Sequence, residues 1–182
     1  MFLRKMFMIL RKWENLPKEM QTPEVREYYD LLSKKKFQLV LKRIFDIAVS
    51  FLLLAVLSPV FIILAIAIKL DSKGPVFYRQ TRVTRYGKEF RIFKFRSMVT
   101  DADKGSLLTV GGDSRITRTG KFIRKYKLDE FSQLIDVLRG TMTFVGTRPE
   151  VPKYVEKYTP EMMATLLLPA GITSEASVYY KD

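Results

Sequence analysis

The chain has 182 residues, 47% of them hydrophobic and 28% charged, and a formal net charge of +13. It contains neither Cys nor His, which excludes disulfides, thiolate and imidazole nucleophiles and Cys/His zinc sites, and removes the usual general base. Any catalysis must therefore use Asp, Glu, Lys, Tyr, Ser or Thr, and the positive excess points to a polyanion: nucleic acid, an anionic membrane surface or phosphorylated substrates.

Residues 1–41 form a basic N-terminal segment. Phe2, Leu3, Met6, Phe7, Ile9, Leu10 and Trp13 alternate with Arg4, Lys5, Arg11 and Lys12. This amphipathic pattern suits a membrane interface or a short helix packed on its own domain, and both readings stand. Thr22-Pro23-Glu24 predicts a helix start capped by Thr22. Lys34-Lys35-Lys36 is a solvated cluster suited to anionic lipid headgroups.

Residues 42–70 carry the most apolar stretch, with no charge between residues 47 and 68. At about 1.5 Å per residue this reaches across a bilayer. Ser58-Pro59 interrupts it at the centre, where proline removes a backbone donor and bends a helix. Both flanks are basic: Lys34, Lys35, Lys36, Lys42 and Arg43 before, Lys69, Lys73, Arg79, Arg82 and Arg85 after. Positive charge is retained on the cytoplasmic side, so a helix that enters, breaks at Ser58-Pro59 and returns would satisfy both flanks, provided Ser58 or protein cover satisfies the freed backbone. From the residues alone a plain span, a re-entrant hairpin and a buried helix remain open. Asp46 is placed to pair with Arg43 or Lys42, or to sit at the headgroups.

Residues 71–182 read as a separate small domain. After Gly74-Pro75, residues 76–83 and 89–95 read as two strands joined by a turn at 85–88. The apolar phase slips between Ile92 and Phe93, which predicts a bulge or burial on both faces. Residues 100–114 are polar and glycine-rich, a loop suited to closing over a site. Next comes a basic run (Arg115, Arg118, Lys121, Arg124, Lys125, Lys127), and then Asp129-Glu130. Phe131, Leu134, Ile135 and Leu138 follow at a spacing that puts them on one helix face. The acidic pair thus lies at or near a helix start. Asp129 is then either a plain N-cap or, with Glu130, the working centre inside a cationic surface.

Seven segments carry a resemblance: Lys42-Arg43-Ile44-Phe45-Asp46, Gly74-Pro75-Val76-Phe77-Tyr78-Arg79-Gln80, Lys94-Phe95-Arg96-Ser97-Met98, Asp113-Ser114-Arg115-Ile116-Thr117-Arg118-Thr119-Gly120, Leu128-Asp129-Glu130, Val145-Gly146-Thr147-Arg148-Pro149-Glu150 and Ala170-Gly171-Ile172-Thr173. In this order they resemble the bacterial sugar transferase family, the monotopic phosphoglycosyl transferases, over roughly residues 42–173. The resemblance implies an α/β (α+β) fold: a re-entrant helix broken at Ser58 and Pro59, plus a small cytoplasmic domain with a β-hairpin and amphipathic interfacial helices. It implies an enzyme at the cytoplasmic face of the bacterial inner membrane. That enzyme would move a sugar phosphate from a nucleotide diphosphate sugar to a polyprenol phosphate, starting capsule, exopolysaccharide, O-antigen or glycoprotein glycan assembly. Asp129 would be the nucleophile and Glu130 would help hold Mg²⁺.

The inventory agrees with that chemistry. A carboxylate is the available strong nucleophile, polyprenol phosphate needs no general base, and Mg²⁺ favours one or two carboxylates plus phosphate oxygens. Lys94, Arg96, Arg115 and Arg148 are the candidate phosphate ligands, each with a structural or surface role as its equal alternative. Partners would be the two substrates and anionic lipids; nucleic acid is not among them, and homo-oligomer formation stays open. A membrane-tethered nucleic-acid binder or a scaffold without turnover is the alternative. The sequence departs from the family pattern at Ser132, Asp136, Thr147, Ala170 and Ser174-Glu175-Ala176-Ser177, and it reads as C-terminally incomplete at Asp182.

Overall fold

The computed structural model describes residues 10–100, 113–174 and Tyr179. The N-terminal helix α1 (Pro23–Lys34) starts as its sequence dictates, with Pro23 in the first turn and Thr22 Oγ1 accepting from Val25 N at 3.4 Å. Ahead of it, Leu16 and Met20 are buried in one apolar cluster with Val25, Val83, Tyr86, Leu166 and Leu167. Arg11 is also engaged inward: its N–H donates to Tyr86 Oη at 3.1 Å and its carbonyl accepts from Tyr29 Oη at 2.9 Å. Residues 10–34 are therefore packed on their own domain. The apolar residues before Leu10 lie outside the described residues.

Helix α2 (Lys36–Asp71) contains the whole apolar stretch and is long and apolar enough to cross a membrane. Its 36 residues correspond to about 54 Å if straight, at about 1.5 Å each. Pro59 lies inside it and has no N–H to give to the carbonyl four residues earlier. That carbonyl belongs to Ala55, and Ser58 Oγ donates to it at 2.8 Å. The Ser-Pro pair thus carries its own remedy for the missing bond.

Only the two ends of α2 are buried: Leu39, Arg43, Asp46 and Ser50 near the start, Leu64 and Ile68 near the finish. Between them Phe51, Leu52, Val56, Ile62 and Ile63 are exposed. At the first end, Arg43 donates to Val137 O (2.6 Å) and Leu138 O (2.9 Å), satisfying carbonyls that a helix end leaves orphaned. The fully buried Asp46 accepts from Thr143 Oγ1 (2.6 Å) and Phe144 N (3.3 Å), with Lys42 Nζ 3.7 Å away. Asp46 therefore pairs with Lys42, as one of its sequence options allowed, but its closer partners come from a strand 97 residues on.

Strands β1 (Phe77–Thr84) and β2 (Lys88–Phe95) form the expected antiparallel hairpin. Its turn, Arg85–Gly87, holds Tyr86 and Gly87 at positive φ, 60° and 68°. Pairing runs unbroken from Phe77↔Phe95 to Thr84↔Lys88. The phase slip at Ile92-Phe93 is thus burial on both faces and not a bulge. Ile92 packs with Val137 and Met142 on one side; on the other, Phe93 meets Phe77 at 5.4 Å between ring centroids and the Arg79 guanidinium at 3.4 Å. Phe95, beyond it, joins Leu64, Ile68 and Ile123.

Helix α3 (Arg118–Lys125) is capped by Thr117, which accepts from Gly120 N at 2.9 Å, and by Asp71, which accepts from Thr119 N at 2.7 Å. Gly120 lies so close to Ser97 that a Cβ would stand 1.9 Å from Ser97 O. Helix α4 (Leu134–Arg139) follows a 3-10 segment, Leu128–Gln133. Strands β3 (Met142–Val145) and β4 (Ala170–Thr173) pair in parallel, with the short helix α5 (Pro152–Val155) between them in sequence. The fold is mixed helix and sheet, and Leu16, Met20 and Val25 of the N-terminal segment share an apolar cluster with Val83, Tyr86, Leu166 and Leu167.

Candidate active site

The acidic pair is set by an unusual cap. Lys127 adopts the left-handed conformation, φ 51°, and starts the 3-10 segment with no side-chain cap bond. Asp129 and Glu130 fall in its first turn, so Asp129 is not the N-cap. The 3-10 winding also alters which face is buried, since it advances about 120° per residue where an α-helix advances about 100°. Ser132, Gln133, Leu134, Asp136 and Val137 are buried, while Phe131 and Leu138 are exposed. Of the apolar positions expected on one buried face, only Leu134 is fully inside.

Ser132 and Asp136, two of the departures noted in the sequence, face the free edge of β2. Phe93 N donates to Asp136 Oδ2 at 2.8 Å, and Ser132 Oγ lies 3.0 Å from both Phe93 O and Asp129 O. An open strand edge is thereby closed by a helix. The next residue, Lys94, is turned toward the acidic pair, with Nζ 3.9 Å from Glu130 Oε1.

Electrostatics define the rest of the site. Burial raises the Asp129 carboxyl pKa above its ordinary value; neighbouring Glu130 adds to this, while Lys94, the residue's own backbone N–H and Arg124 oppose it. Burial also lowers the Lys94 pKa, against the two carboxylates and with the help of Arg82 and Arg148. Two carboxylates, one ammonium and the fields of three arginines therefore converge here. Charges so arranged in a low-dielectric site act on a substrate more strongly than in water.

Arg82, one of several hairpin arginines whose planar forks suit phosphate oxygens, was not among the four candidates singled out. Its Nε and Nη2 donate to Gln80 Oε1 (3.1 and 2.7 Å) and its Nη1 to Pro149 O (3.0 Å), which ties it to the segment bearing Arg148. The signal was present in the register: Tyr78 pairs with Lys94 and Arg82 with Phe90, so alternation puts Tyr78, Gln80, Arg82 and Lys94 on one hairpin face.

The other candidates divide. Arg148 is exposed and acts on both Arg82 and Lys94. Arg96 is buried elsewhere. Its guanidinium donates to Lys73 O (3.0 Å), Ser72 O (2.6 Å), Ser72 Oγ (2.9 Å) and Ile68 O (3.4 Å), at the C-terminal end of α2. The structure gives it the carbonyls of a helix end, the structural role that the sequence left open for it. Arg115 makes a bidentate pair with Asp113, Nε to Oδ1 at 2.9 Å and Nη2 to Oδ2 at 2.6 Å, and this bonding holds the Asp113 carboxyl down at about 2. Of the loop expected at 100–114, residues 101–112 lie outside the described residues.

Among the described residues no group of three or more His, Cys, Asp or Glu could hold a metal ion. The protein thus offers two adjacent carboxylates. That donor set suits a hard cation completed by phosphate oxygens and water, as Mg²⁺ is commonly held.

The sequence pattern of the family described as bacterial sugar transferase matches residues 37–182. The chain belongs to the bacterial sugar transferase family. It is 37% identical over 156 residues to a putative undecaprenyl-phosphate N-acetylgalactosaminyl 1-phosphate transferase of Bacillus subtilis (strain 168), covering 85% of this chain and 87% of the relative. It is 41% identical over 143 residues to a UDP-glucose:undecaprenyl-phosphate glucose-1-phosphate transferase of Escherichia coli (strain K12), covering 76% of this chain but 31% of that protein. An exopolysaccharide production protein of Rhizobium leguminosarum bv. phaseoli is 48% identical over 112 residues, covering 60% of this chain and 56% of the relative. The family match contains Lys94, Arg82, Asp129, Glu130 and Arg148 and leaves out α1 and the residues packed before it.

Proposed function

We propose that this chain transfers a sugar phosphate from a nucleotide diphosphate sugar to a polyprenol phosphate through a covalent intermediate on Asp129. The observation that carries this reading is the convergence of Asp129, Glu130 and Lys94 in a half-buried site with Arg82 and Arg148 in range. The named activities of the relatives support it, and the UDP-glucose and N-acetylgalactosaminyl group in those names guide the first substrates to test.

In this mechanism a carboxylate oxygen of Asp129 attacks the sugar-bearing phosphorus. The phosphoanhydride bond breaks, the nucleoside monophosphate leaves, and an acyl phosphate remains. An oxygen of the polyprenol phosphate then attacks the same phosphorus. The bond to Asp129 breaks, releasing a polyprenyl diphosphate sugar and the free carboxylate. Neither attacking group is a neutral hydroxyl, so a site without His suffices. Lys94, Arg82 and Arg148 bind and orient the diphosphate and offset its repulsion from Asp129. Glu130 would hold Mg²⁺ with the diphosphate oxygens; the ion supplies further neutralisation of the phosphate charge.

The membrane placement belongs to the same reading. Both ends of α2 dock on the domain that carries the site, and both flanks are basic. This supports a re-entrant helix bent at Ser58-Pro59, with the site at the headgroups of the cytoplasmic face beside anionic lipids.

The test is intact-protein mass spectrometry after incubation with UDP-glucose or UDP-N-acetylgalactosamine and Mg²⁺. A phosphosugar adduct should form and be discharged by undecaprenyl phosphate. Asp129→Asn should form none, and Glu130→Gln should need more Mg²⁺. A normal adduct yield in Asp129→Asn would overturn the assignment.

A further inference from the structure

Ser132 and Asp136 have no part in the mechanism just given, yet both are buried polar groups bonded to the backbone of a single residue of β2. Ser132 is fully buried and Asp136 is 2% exposed. Asp136 Oδ2 accepts from Phe93 N at 2.8 Å, while its Oδ1 lies 3.4 Å from Thr141 Oγ1, which also donates to Asp136 O at 3.0 Å. Ser132 has one hydroxyl proton for two carbonyls, Phe93 O and Asp129 O, each 3.0 Å away. Both backbone groups of Phe93 are therefore held by the segment that bears the acidic pair, and one of the holding groups touches the Asp129 peptide itself.

We infer that Ser132 and Asp136 are positioning residues for the transfer site, clamping the backbone of Phe93 on both sides of its Cα so that Lys94, the next residue, meets Asp129 and Glu130 at a set distance. The inference rests on the function proposed above. Lys94 projects from β2, and nothing in the hairpin alone relates β2 to the 3-10 segment. Apolar packing of Ile92 on Val137 and of Leu128 on the Phe95 cluster brings the two together, and the clamp fixes their relation with directional bonds across 39 and 43 residues of sequence. Misplacement of a catalytic group by about 1 Å can lower a rate by about a hundredfold, so two short bonds one residue from Lys94 are well sited to matter.

The test is a double-mutant cycle on the full chain in lipid nanodiscs, with hydrogen exchange of the Phe93 amide as a readout independent of turnover. Asp136→Ala should lower kcat about tenfold and leave KM for the nucleotide sugar within about twofold, because the acceptor acts through alignment. Asp136→Asn keeps an acceptor oxygen and should restore kcat. In a Lys94→Ala background, Asp136→Ala should lower kcat further by less than about twofold, the non-additivity of groups acting through one another. Ser132→Ala, the milder variant should Asp136→Ala fail to fold, should behave in the same way. Exchange at Phe93 should quicken about tenfold in Asp136→Ala, the sign of a lost bond. Equal losses in both backgrounds would make the clamp merely structural, and an impaired Asp136→Asn would make charge the cause; either overturns the inference. If the parent chain shows no transfer at all, the proposed function fails, and unchanged Phe93 exchange in Asp136→Ala would separately remove the clamp.

Discussion

Replacing Arg96 by Ala should damage the fold and spare the chemistry. Its guanidinium donates to Lys73 O, Ser72 O, Ser72 Oγ and Ile68 O while 5% exposed. Ile68 O keeps a second donor, Ser72 N at 3.2 Å, and Lys73 O keeps Thr100 Oγ1 at 2.8 Å, so the carbonyl that loses most is that of Ser72. Hydrogen bonds to a charged group contribute about 1.5–3 kcal/mol each. They are not additive around one guanidinium, so a net loss of about 3 kcal/mol is expected. For a chain of this length that lowers the melting temperature by roughly 6–12 °C. Lys at the same position offers a single point donor in place of a fork and should recover less than half of the loss. Gly74→Ala should share the phenotype: Gly74 has φ +124°, and a Cβ there would stand 2.1 Å from Arg96 Nη1. The assay is thermal unfolding of the detergent-solubilised protein alongside turnover per folded molecule, which should stay within about twofold because the bonds that hold Arg96 go to the C-terminal end of α2. An unchanged melting temperature with a tenfold loss of kcat/KM would refute this and return Arg96 to the role of phosphate ligand.

Three further outcomes are expected. Lys94 lowers the Asp129 pKa, so Lys94→Ala should raise it and move the acid limb of the rate profile to higher pH; a limb that stays or moves lower contradicts the pairing. Arg82→Ala and Arg148→Ala should each reduce kcat/KM about tenfold to a hundredfold, from about 1.5–3 kcal/mol of charge-assisted bonding. Arg82→Ala should also lower the melting temperature, since it frees Pro149 O, and equal stability losses in both variants would count against the division. Replacing Ser58 and Pro59 by Leu and Ala should favour a continuous span. Single cysteines near residues 5 and 104 should be protected from external label in the parent chain, and external labelling of the N-terminal site alone would sink the re-entrant reading.

The features visible in the sequence are those governed by neighbours. Alternation between Gly74-Pro75 and Phe95 located both strands, Thr22-Pro23 located a helix start, and the uncharged run around Ser58-Pro59 located α2. Asp129-Glu130 stood out because two carboxylates interrupt a cationic run. What stayed hidden depends on distant backbone. Arg96 looks like any exposed arginine until the carbonyls of residues 68–73 are brought to it. The face buried after Glu130 could not be read at α-helical periodicity, because the segment begins as a 3-10 turn. The two readings of residues 10–13 could be separated only once Tyr86 and Tyr29 were seen to engage Arg11.

The family match begins at residue 37, but Leu16, Met20 and Val25 share an apolar cluster with Val83, Tyr86, Leu166 and Leu167. The boundary of the family match is therefore not a boundary of folding. A chain trimmed to the matched region would lay bare the hairpin turn and the 3-10 segment Met162–Leu167, trading an intramolecular seam for a sticky surface. Any chain shortened in this way must cover the same hydrophobic ground, by a substitute segment or by a neighbouring molecule.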